Sequence, residues 1–223
     1  PRSSGRWYWG AFAREFFGSY LLGFGKLKLN PINILFLIYD LERGGPELRL
    51  LDFAKHFPPD IKVHICVTSE SLSLLPDFMQ LNANIQVVPV SKGYLELNKA
   101  LKIYRYVKTT RISIINSFGL KQLFLSVALK VFSGWKLKTV HHSVDLLHNY
   151  SLFQRFLLGI LLKSTNAVIC NSEQSMKIIK SFSVPKDKIG VIKNGVDTTN
   201  FKKSLYTNQN LKKMYGLGNG EII

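Results

Sequence analysis

Acidic residues are scarce in this 223-residue chain: 14 Asp and Glu stand against 30 Lys and Arg, a formal charge of +16. A charge of that size attracts polyanions, and nucleic acid, an anionic membrane surface and phosphorylated substrates all qualify. Zinc-finger and RNA-binding signatures are missing and the bases are scattered rather than blocked, so nucleic acid is not an expected partner. Cysteine is rarer still. Cys66 and Cys170 each lie inside an apolar, strand-like run, which excludes a disulfide framework and implies buried free thiols in a reducing compartment. His64 near Cys66 lacks the further ligands a metal site needs, so no metal is expected. The apolar run Leu152 to Leu162 is too short to span a bilayer and is expected to pack on a core. The N-terminus lacks the compact apolar region and cleavage site of a signal peptide. Internal repeats and low-complexity tracts are absent.

What is present divides into three parts. Residues 1–30 interleave aromatics with bases: Phe12, Phe16, Tyr20 and Phe24 recur every fourth residue, among Arg2, Arg6, Arg14, Lys26 and Lys28. Such a helical extension suits a membrane interface, with packing on the core or the tail of an upstream domain as alternatives. Arg14 and Glu15 argue against a spanning helix. From Pro31 onward, strand and helix patterns alternate. Strands are expected at 33–40, 61–68, 85–90, 111–117, 137–142, 167–171 and 189–193. Helices are expected at 46–57, 69–79, 95–108, 121–133, 146–163 and 173–182, the third of them basic and amphipathic. About seven strands separated mostly by helices imply an α/β fold, a doubly wound parallel sheet of Rossmann-like type over residues 31–201. Residues 202–223 read as a linker and the start of a further domain, so the chain reads as a fragment.

The stretch Asn33 to Glu47 carries the first candidate chemistry. A mostly apolar strand ends at Asp40, Gly44 and Gly45 break it, and Pro46-Glu47 opens a helix. Strand, glycine loop and helix start is the arrangement that receives phosphates, because bare glycine lets a ligand approach the backbone and the helix N-terminus presents unpaired N–H groups. An ordinary strand-to-helix turn uses glycine too. Ligands of such sheets bind beyond the carboxyl ends of the strands. Asp40, Asn116, Ser117, His141, His142, Asn171, Ser172 and the Lys193 to Asp197 run collect there. In the His141-His142 pair, alternation along the strand lets only one ring face a given wall, and either also suits a structural role.

Several of these motifs together resemble one family. ILFLIYDLERGGPELRLLDFAKHF resembles the first strand, glycine loop and leucine-rich helix of GT-B glycosyltransferases of the family 4 type, with Pro46 where alanine is usual; a first helical turn tolerates proline. Ile115 to Gly119 is similar to the end of the fourth strand, with Asn116 where histidine is frequent. Thr139-Val140-His141 is similar to the Thr-x-His ending of the fifth strand, and Ala167 to Ser172 to the sixth. Lys188 to Phe201, KIGVIKNGVDTTNF, carries the most specific likeness.

The resemblance implies the N-terminal, acceptor-side half of a GT-B architecture. It further implies a retaining glycosyltransferase that moves a sugar from a nucleotide-diphosphate sugar to a glycan or lipid-linked acceptor, with no metal or other cofactor. Carried over by position, Gly44 and Gly45 line the cleft near the donor phosphates and His141 faces sugar and acceptor. Asn116 and Ser172 are further substrate-binding candidates, and Asn194-Gly195 forms a turn near the hinge. The family's acidic pair and basic phosphate ligands belong to the other domain, so this polypeptide is not expected to turn over by itself. A cytoplasmic protein, peripheral at the inner face of a membrane through residues 7–28 and 95–111, accounts for the charge without nucleic acid. Two alternatives belong to other classes. One is a noncatalytic Rossmann-like binding domain. The other is a dinucleotide-dependent oxidoreductase, against which stand the missing triple-glycine fingerprint and Thr68 where an acid should close the second strand.

Overall fold

A computed structural model of the chain describes residues 32–81, 84–87, 97–143 and 150–193. Seven strands, β1 (Ile32–Ile38), β2 (Ile61–Val67), β3 (Asn84–Val87), β4 (Ile114–Phe118), β5 (Lys138–Ser143), β6 (Ala167–Cys170) and β7 (Ile189–Val191), form one sheet. Among the described residues, six α-helices connect them: α1 (Gly45–His56), α2 (Leu75–Met79), α3 (Leu97–Thr109), α4 (Leu120–Phe132), α5 (Leu152–Ser164) and α6 (Glu173–Ser181). The strand order is β3-β2-β1-β4-β5-β6-β7 and every pairing is parallel. The doubly wound sheet expected from the alternating pattern is therefore the one observed.

The helices fall on two faces because every crossover has the same hand while the stepping direction reverses, β1 to β3 running one way across the sheet and β3 to β7 the other. On one face, Ile34, Phe36 and Ile38 of β1 pack with Leu50, Leu51 and Phe53 of α1 and Phe78 of α2. On the other, Leu35 and Leu37 pack with Ile103 and Val107 of α3 and Leu125 and Leu129 of α4. The same layer continues through Leu158, Leu161 and Leu162 of α5 and Ile179 of α6, against Val168 and Cys170 of β6. A strand covered on both sides is apolar over its covered length, which is why β1 runs ILFLI from Ile34 to Ile38 rather than alternating.

Element boundaries differ from the sequence expectation where local chemistry decides them. The helix expected from residue 69 begins only at Leu75, because Ser69 to Leu74 form turns that hold the glycine loop. The long apolar helix expected from Leu146 begins at Leu152: Ser151 accepts a hydrogen bond from the Gln154 N–H while the Gln154 side chain accepts one from the Ser151 N–H, a reciprocal cap. The N-terminal extension, residues 95–96 and 144–149, and the 194–223 stretch with its asparagine-glycine turn lie outside the described residues.

Candidate active site

The order of the sheet reverses between β1 and β4, and that switch point is where the carboxyl ends of the strands leave a crevice. Two loops meet there. After β1, the Asp40 carboxylate accepts a hydrogen bond from the Glu42 N–H at 3.1 Å, closing a local turn. Leu41 is fully buried and tied to the next loop, its N–H donating to Ser71 O (2.9 Å) and its carbonyl accepting from Leu74 N–H (2.8 Å). The Ser73 hydroxyl reaches the Glu42 carboxylate at 2.8 Å. The glycines are thus presented by a loop anchored at both ends.

Gly44 caps α1 with φ −103° and ψ 173°, and Gly45 is its first residue. Neither conformation demands glycine, since both φ values lie outside the left-handed region. Gly44 is bare for a packing reason: the Glu47 carboxylate folds back into the space a Cβ would occupy, against its own backbone N–H. Burial raises the Glu47 pKa, Asp40 adds to that rise, and the backbone hydrogen bond opposes it. Gly45 is exposed, and a Cβ added there would meet no atom within 4 Å. Among the described residues, nothing requires glycine at that position.

On β4 and β5 the candidates divide between the faces. Ser117 Oγ donates to Val140 O at 3.2 Å and lies 3.3 Å from His141 Nδ1, so His141 stands on the α4 side, 4% exposed. His142 faces the α1 side, where it stacks on Phe118 at 5.0 Å and meets Phe53 at 5.7 Å. Neither ring nitrogen of His142 finds a partner, and burial, with Arg49 and His141 adding, lowers its pKa to about 3. His142 is a neutral core aromatic. Asn116 lies on this same face, in register with Phe36 and Val140; it is fully buried and neither amide atom has a hydrogen-bond partner. It sits in the core beside the switch point, on the opposite side of the sheet from His141.

Ser172 has a local task. It caps α6, accepting from the Ser175 N–H at 3.1 Å, and Ser175 Oγ donates to Asn171 Oδ1 at 2.8 Å. Gly44, Gly45, Asn116 and His141 therefore share three adjacent strand ends, with Ser172 one strand further on.

One supporting pair escaped the sequence reading. Gln122 on α4 donates to Thr68 Oγ1 at 2.8 Å, and Thr68 in turn reaches the carbonyls of Ile38 (3.2 Å) and Tyr39 (3.4 Å). This chain of bonds fixes the end of β1 from below the glycine loop. The signal was a glutamine on the buried side of an apolar helix, just past Gly119, whose φ of 87° is a glycine conformation. Thr68 thus occupies with structural bonds the position where a dinucleotide enzyme would hold a ribose. Among the described residues, no group of three or more His, Cys, Asp or Glu side chains could hold a metal ion.

The model of the family described as Glycosyltransferase Family 4 matches residues 43–200, from the glycine loop to beyond β7. The chain belongs to glycosyltransferase family 4. Solved structures with this fold include HepE from Anabaena in complex with UDP and glucose, at TM-score 0.68 and 20% identity over 83% of this chain and 50% of that one. A glycosyltransferase from Rickettsia africae matches at TM-score 0.66 and 19% identity over 85% and 51% of the respective chains. The lipopolysaccharide outer core galactosyltransferase WaaB, in its apo form, matches at 0.55 and 12% over 74% and 46%. At these identities the likeness shows the fold. The chain spans about half the length of the solved structures it matches, as the N-terminal half of a GT-B architecture does. No curated protein sequence matches the chain.

Proposed function

We propose that the protein acts in retaining transfer of a sugar from a nucleotide-diphosphate sugar to a glycan or lipid-linked acceptor, without a metal or other cofactor. In such a transfer the bond from the anomeric carbon to the diphosphate breaks, one to the acceptor oxygen forms on the same face, charge grows on the departing diphosphate, and the acceptor hydroxyl's proton passes to that diphosphate oxygen. The observation that carries the reading is Gly45: bare, open to solvent, at the N-terminus of α1 and beside the switch point, with no atom of the described residues within 4 Å of where its side chain would be. A phosphate approaching there meets backbone donors and the positive end of a helix, which oppose the growing charge. The complexes of Anabaena HepE with UDP and with UDP-glucose support a uridine nucleotide as donor carrier.

In this reading residues 31–201 form the acceptor-side domain, 202–223 lead into the donor-side domain, and 1–30 are an aromatic and basic extension. Gly44 orders the loop, and His141 lies against the reacting sugar and acceptor hydroxyl. Asn116 and Ser172 shape the surrounding strand ends. The 223 residues alone do not turn over, because the resemblance assigns the acidic pair and the cationic phosphate ligands to the other half. The buried thiols Cys66 and Cys170 fit a cytoplasmic location, and the exposed Lys102, Arg105 and Lys108 of α3 fit peripheral contact with the inner face of a membrane.

The test uses the complete gene product, with labelled nucleotide sugars and membrane extracts. His141→Ala is expected to lose transfer by about 10²-fold or more, the range for a positioned catalytic group, while the variant, though less stable because the ring is buried, stays folded by circular dichroism at the assay temperature. Undiminished transfer by the variant would reject the role of His141, and no transfer by the wild type from any nucleotide sugar would favour the noncatalytic binding domain.

A further inference from the structure

Helix α5 carries apolar side chains on two opposite sides. Leu158, Leu161 and Leu162 are buried against the sheet, while Leu152 (85% exposed), Phe153 (68%), Phe156 (68%) and Ile160 (48%) form one stripe at three- and four-residue spacing on the opposite side. A surface helix of a soluble domain normally carries polar residues there. Of the eleven large hydrophobic side chains exposed among the described residues, one lies on α3, two on α4, one at Trp135 just beyond α4, and these four on α5. The layer formed by α3, α4 and α5 thus holds most of the exposed large hydrophobic side chains among the described residues.

The same layer is almost without acid. From Leu97 to Ser172 the sequence has eleven Lys and Arg and a single acidic residue, Asp145, which lies outside the described residues. From Ile32 to Leu81, which includes α1 and α2 on the other face, it has four Lys and Arg against seven Asp and Glu. The +16 of the chain is therefore not spread evenly. Bases lie in the same layer as the apolar stripe: Arg155 and Lys163 on α5 itself, and Lys102, Arg105 and Lys108 exposed on α3, one helix removed. Trp135 stands out from the end of α4 with the Lys130 ammonium 5.2 Å from its ring.

We propose that the outer face of α3, α4 and α5 is a docking surface for an anionic lipid bilayer, with the stripe Leu152, Phe153, Phe156 and Ile160 inserted among the lipid headgroups. The charge decides against a second copy of the chain, since a symmetric pairing would set one acid-poor, basic face against another. At 13 residues α5 is about 20 Å long, too short to cross a bilayer, so it lies in the interface plane while its bases reach anionic headgroups. Ser151 and Leu152 follow the carboxyl end of β5, so the stripe starts at the edge of the sheet that bears the candidate site and runs away from it. That placement would bring a lipid-linked acceptor to the crevice from the membrane. The consequence for the acceptor rests on the transferase reading; the membrane contact does not, and the test reads binding without turnover.

Purified full chain is sedimented with vesicles of phosphatidylcholine alone and of equal parts phosphatidylcholine and phosphatidylglycerol. Wild type is expected to bind the anionic vesicles, more weakly as salt is raised, and to leave the neutral ones in suspension. Phe153→Ser/Phe156→Ser should bind at least tenfold more weakly with unchanged melting, because both side chains already face water. Leu152→Gln/Ile160→Gln on the same stripe repeats the measurement if the first pair fails to fold. Lys102→Glu/Arg105→Glu/Lys108→Glu should abolish the preference for anionic vesicles. The proposal is overturned if wild type ignores anionic vesicles, if the stripe variants bind as wild type does, or if wild type is a dimer that the stripe variants dissociate.

Discussion

His141 and His142 are neighbours in the sequence and stand in different layers of the protein. That they part was legible, because alternation along a strand sends successive side chains to opposite faces. Which of them joins the aromatic cluster was not, because Phe118, Phe53 and the Arg49 charge come from other elements. The burial of His142 has a consequence in acid. Its pKa is lowered from 6.5 to about 3, so the folded state favours the neutral ring. The stability this contributes is complete above pH 6.5 and is lost as pH falls from there toward 3. His142→Phe keeps an aromatic in the slot and removes the titration. Urea unfolding at pH 7 should give the variant a stability within about 1 kcal/mol of wild type, since a partnerless buried ring is exchanged for an apolar one. At pH 5 the wild type should have lost about 2 kcal/mol more than the variant. His64, whose pKa burial also lowers, adds acid sensitivity of the same sign to both proteins and leaves the difference intact. Equal losses would show that His142 stays neutral for another reason or is not buried in solution.

At the scale of elements, the start of α1 separates what a glycine does for the fold from what it does for a ligand. Strand, glycine pair and proline-led helix could be read directly, and their bounds agree with the structure to within a residue or two. The fold-back of Glu47 was not read, although an acid at the third helical position is a familiar way to satisfy N-terminal donors. It depends on Gly44 leaving room. Gly44→Ala should therefore dislodge the Glu47 carboxylate and cost on the order of 1 kcal/mol in thermal or urea unfolding. Gly45→Ala meets no atom and gains helix propensity, so its stability should equal that of wild type or exceed it by up to about 1 kcal/mol. In the complete gene product the order is expected to reverse: Gly45→Ala should transfer sugar far less well than wild type despite its stability. Full activity in Gly45→Ala would leave the exposed N-terminus of α1 without a role in the donor reading.

For the whole molecule, the alternation of strands and helices announced a doubly wound sheet, but neither the strand order nor the division of charge between the faces. Both depend on the direction of each crossover: α3, α4 and α5 share a layer because β3 to β4, β4 to β5 and β5 to β6 all step the same way across the sheet. One continuous sheet, with a core on each face, should unfold as a unit. The two cysteines can test this. Cys66 lies on β2 and Cys170 on β6, with β1, β4 and β5 between them, and both are free and buried. Burial pushes their thiols up to about 12 and about 11, so in the native protein both are inaccessible and hold almost no thiolate at neutral pH. A disulfide reagent such as dithiobis(nitrobenzoate) should label neither thiol in native buffer. As urea is raised, labelling of Cys66 followed in Cys170→Ala, and of Cys170 followed in Cys66→Ala, should each share its midpoint with the loss of helical circular dichroism in that variant. If Cys66 is labelled at clearly lower urea than the helices melt, the β1, β2 and β3 side opens by itself, and the glycine loop at the end of β1 then belongs to a part of the domain that moves independently of His141.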